Sequence, residues 1–238
     1  MRTVFFGGGA EPAPPSDFRI PMPLSAEELR VLGCLIEKQF LTPDVYPMTI
    51  NSIVTACNQK TSRDPVTSYD EDTVDAVLVI LQDKRLAQRI SGPDHRVPKY
   101  RELLGVSTGL RVSELALLCV MMLRGPNTLN ELKDRTARIH SFADLDEVEQ
   151  TLDRLISREP QHLVVKLPRL AGQKEQRYTH LLAGEIDAES LAIAAASNAA
   201  PAPPREDRIA KLEAEVADLR NQIANLQEQF ANFRKQFE

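Results

Sequence analysis

An internal repeat constrains the fold of this 238-residue chain more than any other feature of its sequence. The first copy opens with Ser25-Ala26-Glu27-Glu28, a capping box that predicts the start of a helix. Apolar residues then follow at helical spacing, at Leu29, Leu32, Ile36 and Phe40. The same stripe returns 86 residues further on, at Leu115, Leu118 and Met122. The chain is therefore predicted to hold two copies of one small supersecondary unit.

Two further helices are predicted in each copy. The second helix spans about residues 49–56, and its counterpart lies at residues 128–132. The third helix carries Val74, Leu78 and Leu81, and a shift of 74 residues leads to Val148, Leu152 and Leu155. The starts of the third helices match as well, because Thr67-x-x-Asp70 and Ser141-x-x-Asp144 are both plausible N-terminal caps.

A β-hairpin pattern follows each third helix. The first pattern has strands at residues 86–90 and 96–101, with a turn at residues 91–94. The second has strands at residues 162–167 and 177–181, with a turn near residues 171–173. A bare three-helix bundle would not account for these hairpins, whereas a winged helix consists of three helices and a hairpin. We therefore predict tandem winged-helix domains.

The C-terminal tail has an uninterrupted heptad pattern. β-Branched residues predominate at the first a positions and leucines at the first d positions, which favours a parallel two-stranded coiled coil. Arg208 opposite Glu213 and Glu215 opposite Arg220 would form attractive pairs between the two chains. The alternative is a helix that folds back on the body of its own chain. The predicted dimerisation residues are Ile209, Leu212, Val216, Leu219, Ile223, Leu226, Phe230, Phe233 and Phe237.

The predicted fold class is mainly α with small β-hairpins (α+β), namely tandem winged-helix domains followed by a C-terminal coiled-coil helix. Segments rich in Gly, Pro or Ala set the boundaries between its parts. The predicted parts are a flexible N-terminal arm (1–23), winged-helix domain 1 (24–104), winged-helix domain 2 (105–183), a linker (184–204) and the coiled-coil helix (205–238).

Three strings in the first copy resemble a known family. They are Glu37-Lys38-Gln39, Thr42-Pro43-Asp44-Val45-Tyr46-Pro47 and Asn58-Gln59-Lys60-Thr61-Ser62-Arg63-Asp64-Pro65-Val66. The chain resembles the YceH-like family of bacterial proteins over roughly residues 24–182. The resemblance implies a tandem winged-helix fold in a bacterial cytosol. It implies no activity and supplies no catalytic residues.

Charge leaves two functions open. A winged helix usually places its third helix in the major groove of DNA, but both third helices here are acidic and would repel phosphates. The first hairpin is basic, with six Lys and Arg residues against one acid between positions 84 and 101. A nucleic-acid-associated, transcription-type regulator would therefore use its wing to contact phosphates. The candidate contacts are Lys60, Arg63, Lys84, Arg85, Arg89, Arg96, Lys99 and Arg101.

The second hypothesis is a protein–protein interaction adaptor. Its acidic third helices would bind a protein partner, and no nucleic acid would be contacted. The net charge of −5 and the dimerising tail fit this role. The partners expected from the two hypotheses are thus a second copy of the chain, with either DNA or an unidentified protein.

Sequence motifs of enzymes and metal sites are missing. The four histidines form no metal-binding motif, and no phosphate-binding loop or nucleophile elbow occurs. We predict a non-enzymatic protein without catalytic residues, metal or cofactor. Cys34, Cys57 and Cys119 are widely spaced within apolar stretches and are expected to be buried, reduced thiols. No apolar run is long enough for a membrane span, and a cytoplasmic location is expected.

The heptad pattern predicts that the tail alone holds the homodimer together. Removing residues 205–238 should halve the mass in solution, because it removes every apolar a and d residue of the coiled coil. Light scattering coupled to size-exclusion chromatography measures this mass directly. An unchanged mass for the truncated chain would contradict the prediction and favour the folded-back helix.

Overall fold

The structure is a computed structural model that describes residues 18–91, 97–169 and 175–184. The predicted coiled coil and its dimerisation residues lie outside these ranges, as does the first part of the predicted arm. The described residues form helices and short antiparallel strands, which confirms the predicted α+β class. Within these residues no helix has the length and hydropathy needed to cross a bilayer.

Each copy of the repeat folds into three helices followed by two antiparallel strands. The first copy consists of α1 (Ala26–Leu41), a 3₁₀ turn (Pro43–Val45), α2 (Ile50–Cys57), α3 (Glu71–Asp83), β1 (Ala87–Ile90) and β2 (Lys99–Glu102). A short helix, α4 (Leu104–Thr108), connects the copies. The second copy consists of α5 (Val112–Arg124), α6 (Leu129–Thr136), α7 (Leu145–Ile156), β3 (Val164–Lys166) and β4 (Tyr178–His180).

Side-chain caps begin the helices where the sequence predicts them. The Ser25 hydroxyl accepts a hydrogen bond from the Glu28 amide, and the Glu28 carboxylate accepts one from the Ser25 amide. This reciprocal capping box satisfies two amides that lack a partner within the helix. Asp70 and Asp144 cap α3 and α7 by accepting from the amides of Thr73 and Glu147, at 2.9 and 2.8 Å.

The hairpins are tied to the residue that precedes the cap of each second helix. Met48 and Tyr100 exchange two backbone hydrogen bonds, of 3.0 and 2.7 Å. Asn127 and Tyr178 make the equivalent exchange in the second copy, at 3.0 and 2.8 Å. The repeat therefore extends beyond the apolar pattern to the backbone pairing that holds each hairpin against its helices.

The first helices of the two copies pack against each other. All ten residues of α1 from 28 to 37 are buried, and so are all ten residues of α5 from 114 to 123. At Gly33 an added Cβ would lie only 2.9 Å from Cδ2 of Leu123, so the missing side chain lets the helices approach closely. The Cys119 thiol donates to the Gly33 carbonyl at 3.4 Å. The two copies thus share one hydrophobic core.

The end of the predicted N-terminal arm is held by the second copy. Ile20 is only 2% exposed, and its amide donates to Oε1 of Gln161 at 2.8 Å. The Gln161 amide nitrogen donates in return to the Ile20 carbonyl at 3.1 Å. The Leu24 amide donates to the Leu182 carbonyl, at 2.8 Å. Residues 18–24 therefore strap the first copy to the second.

The close approach at Gly33 predicts the effect of filling it. Gly33→Leu should destabilise the fold by about 2 kcal/mol, because the new side chain must displace Leu123 and Met122 from a packed interface. Chemical denaturation measures the free energy of unfolding. The matched control is Ala76→Leu at an exposed position of α3, which should change it by less than about 0.5 kcal/mol. Equal effects of the two substitutions would contradict a tight helix crossing.

Candidate functional site

Helix α3 presents an outward face of acids and aliphatic side chains. Its inward face is buried and consists of Val74, Val77, Leu78 and Leu81. Val79 and Ile80 lie between the buried Leu78 and Leu81 in the sequence, but their side chains lie on the outward face. They are 51% and 44% exposed. We call the exposed residues the α3 acidic face: Glu71, Asp72, Asp75, Ala76, Val79, Ile80 and Asp83.

The acids of this face are free of ion pairs in the part of the chain that the structure describes. Within the described ranges, none of Glu71, Asp72, Asp75 and Asp83 forms an ion pair. On α7, by contrast, Glu149 pairs with Lys166 at 3.8 Å, and Glu147 lies 3.9 Å from the imidazole of His140. The α3 acidic face therefore keeps an uncompensated negative potential that α7 has partly lost.

The basic candidates of the first hairpin separate into two faces. Gln88 pairs with Arg101 and Ile90 with Lys99 across the strands, so these four side chains share the outward face. The Arg101 guanidinium donates to the Gln88 amide oxygen at 2.8 Å. Arg89 stands opposite the buried Tyr100, on the other face, and is itself exposed.

Of the other candidates, Lys60 and Arg85 are exposed, and Arg96 lies outside the described residues. Lys84 is tied to the protein: its ammonium lies 2.6 Å from a Glu28 carboxylate oxygen and 3.4 Å from the Pro23 carbonyl. Its charge is thus partly balanced within the fold, and a phosphate contact by Lys84 stays a prediction.

Arg63 is a structural residue and not a nucleic-acid contact, which corrects the sequence-based prediction. Its side chain is fully buried, and its guanidinium forms a bidentate ion pair with Glu37, at 3.0 and 2.6 Å. The remaining donors reach oxygen atoms of Ala56, Ser62 and Gln59, at 3.0, 2.9 and 3.1 Å. All five N–H groups of the guanidinium are used, so none is left for a phosphate.

The Arg63–Glu37 pair sets the protonation state of a buried carboxyl group. Burial by itself raises the pKa of Glu37, but the hydrogen bonds and charge of Arg63 outweigh it and hold the pKa below its ordinary value. Glu37 is therefore ionised at neutral pH. The pair joins α1 to the segment that follows α2. From the sequence alone, this segment is predicted only as a loop whose basic residues are candidate nucleic-acid contacts.

The strings that carry the family resemblance have structural roles of the same kind. The Tyr46 hydroxyl accepts a hydrogen bond from the Glu102 amide at 2.6 Å. The Asn58 side chain donates to the Tyr69 carbonyl at 2.7 Å and accepts from the Tyr69 amide at 2.8 Å. These unusual strings therefore hold the loops around α2 in place.

The three cysteines and His180 are buried, and the thiols of Cys34 and Cys57 form a hydrogen bond with each other. Cys34, Cys57 and Cys119 are buried free thiols, as predicted, and burial raises the pKa of Cys119. Burial also lowers the pKa of His180 to about 4, so its imidazole is neutral at pH 7. No group of three or more His, Cys, Asp or Glu side chains in the described ranges is placed to hold a metal ion.

The buried ion pair predicts a large effect of removing its cation. Arg63→Ala should lower the free energy of unfolding by about 3–5 kcal/mol, because it leaves the Glu37 carboxylate buried and uncompensated. Lys60→Ala, three residues away on the surface, is the matched control and should change stability by less than about 0.5 kcal/mol. Urea denaturation compares the two. Equal stability of both variants would contradict the buried ion pair and would indicate that Arg63 lies on the surface.

Comparison with known proteins places the chain among bacterial relatives. Residues 24–173 match the family described as "Protein of unknown function, DUF480". A UPF0502 protein of Opitutus terrae is 48% identical over 196 residues, which cover 82% of this chain and 83% of the relative. A UPF0502 protein of Solibacter usitatus is 50% identical over 193 residues, covering 81% and 90% of the two chains. The chain therefore belongs to the DUF480 (UPF0502) family of uncharacterised bacterial proteins.

Proposed function

We propose that this chain is a tandem winged-helix adaptor that binds a basic, partly apolar segment of another protein through the α3 acidic face. The observation that carries the proposal is the composition of that face, where unpaired acids surround two exposed aliphatic side chains. In this proposal the protein is cytoplasmic and not an enzyme. Self-association through residues 205–238 would present two such faces together.

The winged-helix assignment rests on the order and pairing of the elements. Each copy has three helices, an antiparallel hairpin, and a bridge from the hairpin to the residue before the cap of the second helix. In a winged helix this order makes the third helix the one that enters a DNA groove. Helix α3 is thus the element on which the two hypotheses for function differ most.

Helix α3 is poorly suited to enter a DNA groove. Its sequence contains no Lys or Arg, and its one amide side chain, Gln82, donates to the Leu78 carbonyl of the same helix. The exposed acids would face phosphates, which repel them. No side chain of the outward face offers the bidentate donor pattern that reads a guanine or an adenine.

The same face is well suited to a protein partner of opposite charge. Lys or Arg side chains of a partner would pair with acids such as Asp72, Asp75 and Asp83, which speeds and orients association. Val79 and Ile80 lie among these acids, and binding of a partner would bury their exposed apolar surface. A partner segment with both basic and apolar side chains satisfies both requirements.

A second function, phosphate contact by the first hairpin, is favoured by one observation. Lys99 and Arg101 lie on the same outward strand face, and Arg89 is exposed on the opposite face of the hairpin. These cations would bind nucleic acid without reading sequence, and such binding weakens steeply as salt rises. The wing and α3 therefore offer separate surfaces, and substitutions can test them one at a time.

The test compares two double variants of the full chain in affinity capture from bacterial cytosol, with and without nuclease. Val79→Asp with Ile80→Asp should remove the captured protein partner, because it deletes the apolar area and adds repulsion. Lys99→Ala with Arg101→Ala is the matched control and should retain that partner. Binding of the purified chain to a mixed-sequence duplex at low salt is measured in parallel by fluorescence anisotropy.

The adaptor hypothesis predicts a captured protein that remains bound after nuclease treatment. The Val79→Asp, Ile80→Asp variant (the α3 variant) should lose this protein, and the Lys99→Ala, Arg101→Ala variant (the wing variant) should keep it. Tight, salt-sensitive binding to the duplex that is lost only in the wing variant would overturn it in favour of the second function. Loss of the partner from both variants, or from neither, would also contradict a role for the α3 acidic face.

A further inference from the structure

The two copies of the repeat enclose a cleft at their junction. Its volume is about 270 Å³, close to the lower end of the range for small-molecule sites. The walls come from the end of α1, the segment after α2, and the ends of α5 and α6. The α3 acidic face takes no part in it. The cleft therefore offers a binding site independent of the proposed adaptor surface.

The cleft has apolar lining residues, which we call its floor, and several charged ones. Leu41, Val120, Leu123 and Ile139 line it together with the Cys119 thiol. The charged lining residues are Glu37, Arg124, Asp134, Arg135 and Arg138, and Ser62 adds a hydroxyl group. An apolar floor with a few convergent polar groups is the usual composition of a small-molecule site.

Two of the three arginines have no hydrogen-bond or ion-pair partner among the described residues. Arg135 donates to the side chains of Asn127 and Glu131, and Glu37 is taken by Arg63. Among the residues that the structure describes, neither Arg124 nor Arg138 forms a hydrogen bond or an ion pair. The one other charged residue among the described lining residues is the carboxylate Asp134. Two arginines and one aspartate leave the cleft with a net positive charge.

The Arg124 guanidinium is half-buried and lies near the charges of other arginines. Burial, followed by the nearby charges of Arg135 and Arg63, lowers the pKa of Arg124. The acids Glu37 and Asp64 raise the pKa of Arg124, but it stays below its ordinary value. A half-buried guanidinium among other guanidiniums gains most from a bound anion, which would pair with it in a partly desolvated position.

We propose that the cleft binds a small organic anion, whose carboxylate or phosphate group pairs with Arg124 and Arg138 while its apolar body covers the floor. The ligand would contact α1 of the first copy and both α5 and α6 of the second. Because these elements belong to different copies, occupancy would stabilise their junction in addition to satisfying the arginines.

The probe for this site is hexanoate, titrated into the full chain by calorimetry. Hexanoate should bind with a Kd on the order of 1 mM. Hexanol, which has the same apolar body without the charge, and inorganic phosphate, which has the charge without the body, should each bind at least about tenfold more weakly. Arg124→Met and Arg138→Met should each weaken hexanoate binding by about tenfold.

Arg89→Met is the matched control, since it removes an exposed arginine outside the cleft, and it should leave hexanoate binding unchanged. Thermal melts of the unliganded variants check the fold, and Arg138→Met carries the test if Arg124→Met does not fold, because Arg138 is exposed. Equal affinity for hexanol and hexanoate would overturn the proposal. So would unchanged hexanoate binding by Arg138→Met, or no saturable binding below roughly 10 mM.

Discussion

The contact between α1 and α5 is the constraint on which the rest of this structure depends. A unit of three helices and one hairpin standing alone would bury one side of its first helix and expose the other. Here the central ten residues of the first helix of each copy are buried on all sides, and Gly33 provides the space for that crossing. The shared core fixes each copy relative to the other, and the cleft of Arg124 and Arg138 exists only because the copies are joined in this way.

Charge divides the surface of the first copy into two regions with different capacities. The α3 acidic face combines unpaired acids with exposed valine and isoleucine, whereas Lys99 and Arg101 stand on the outward face of the hairpin. Arg89, on the opposite face of the hairpin, and Asp75 of the α3 acidic face both act on the pKa of Tyr100, so this arginine lies between the two regions. A partner that carries both signs of charge could contact both regions at once, and a nucleic acid would be repelled by one of them.

The sequence predicted what local patterns encode. Capping side chains, the apolar stripes and the hairpin patterns each lie within a short stretch of chain, and the helices and strands begin close to their predicted positions. The dual burial of α1 was not predicted, because the helix that covers its second side lies 86 residues away in the repeat. Arg63 was misassigned for a similar reason: a loop residue reveals its carboxylate partner only when the chain has folded. The outward position of Val79 and Ile80 could have been read from the helical stripe itself.

The strap formed by residues 18–24 has a consequence for synthesis of the protein. The amide of Ile20 and the side chain of Gln161 are separated by 141 residues, although each donates to the other. At ribosomal speeds, Ile20 leaves the ribosome on the order of ten seconds before Gln161 is made. During that interval residues 18–24 lack their partners in the second copy. The α1–α5 contact can form earlier, and the strap closes only as the last hairpin emerges.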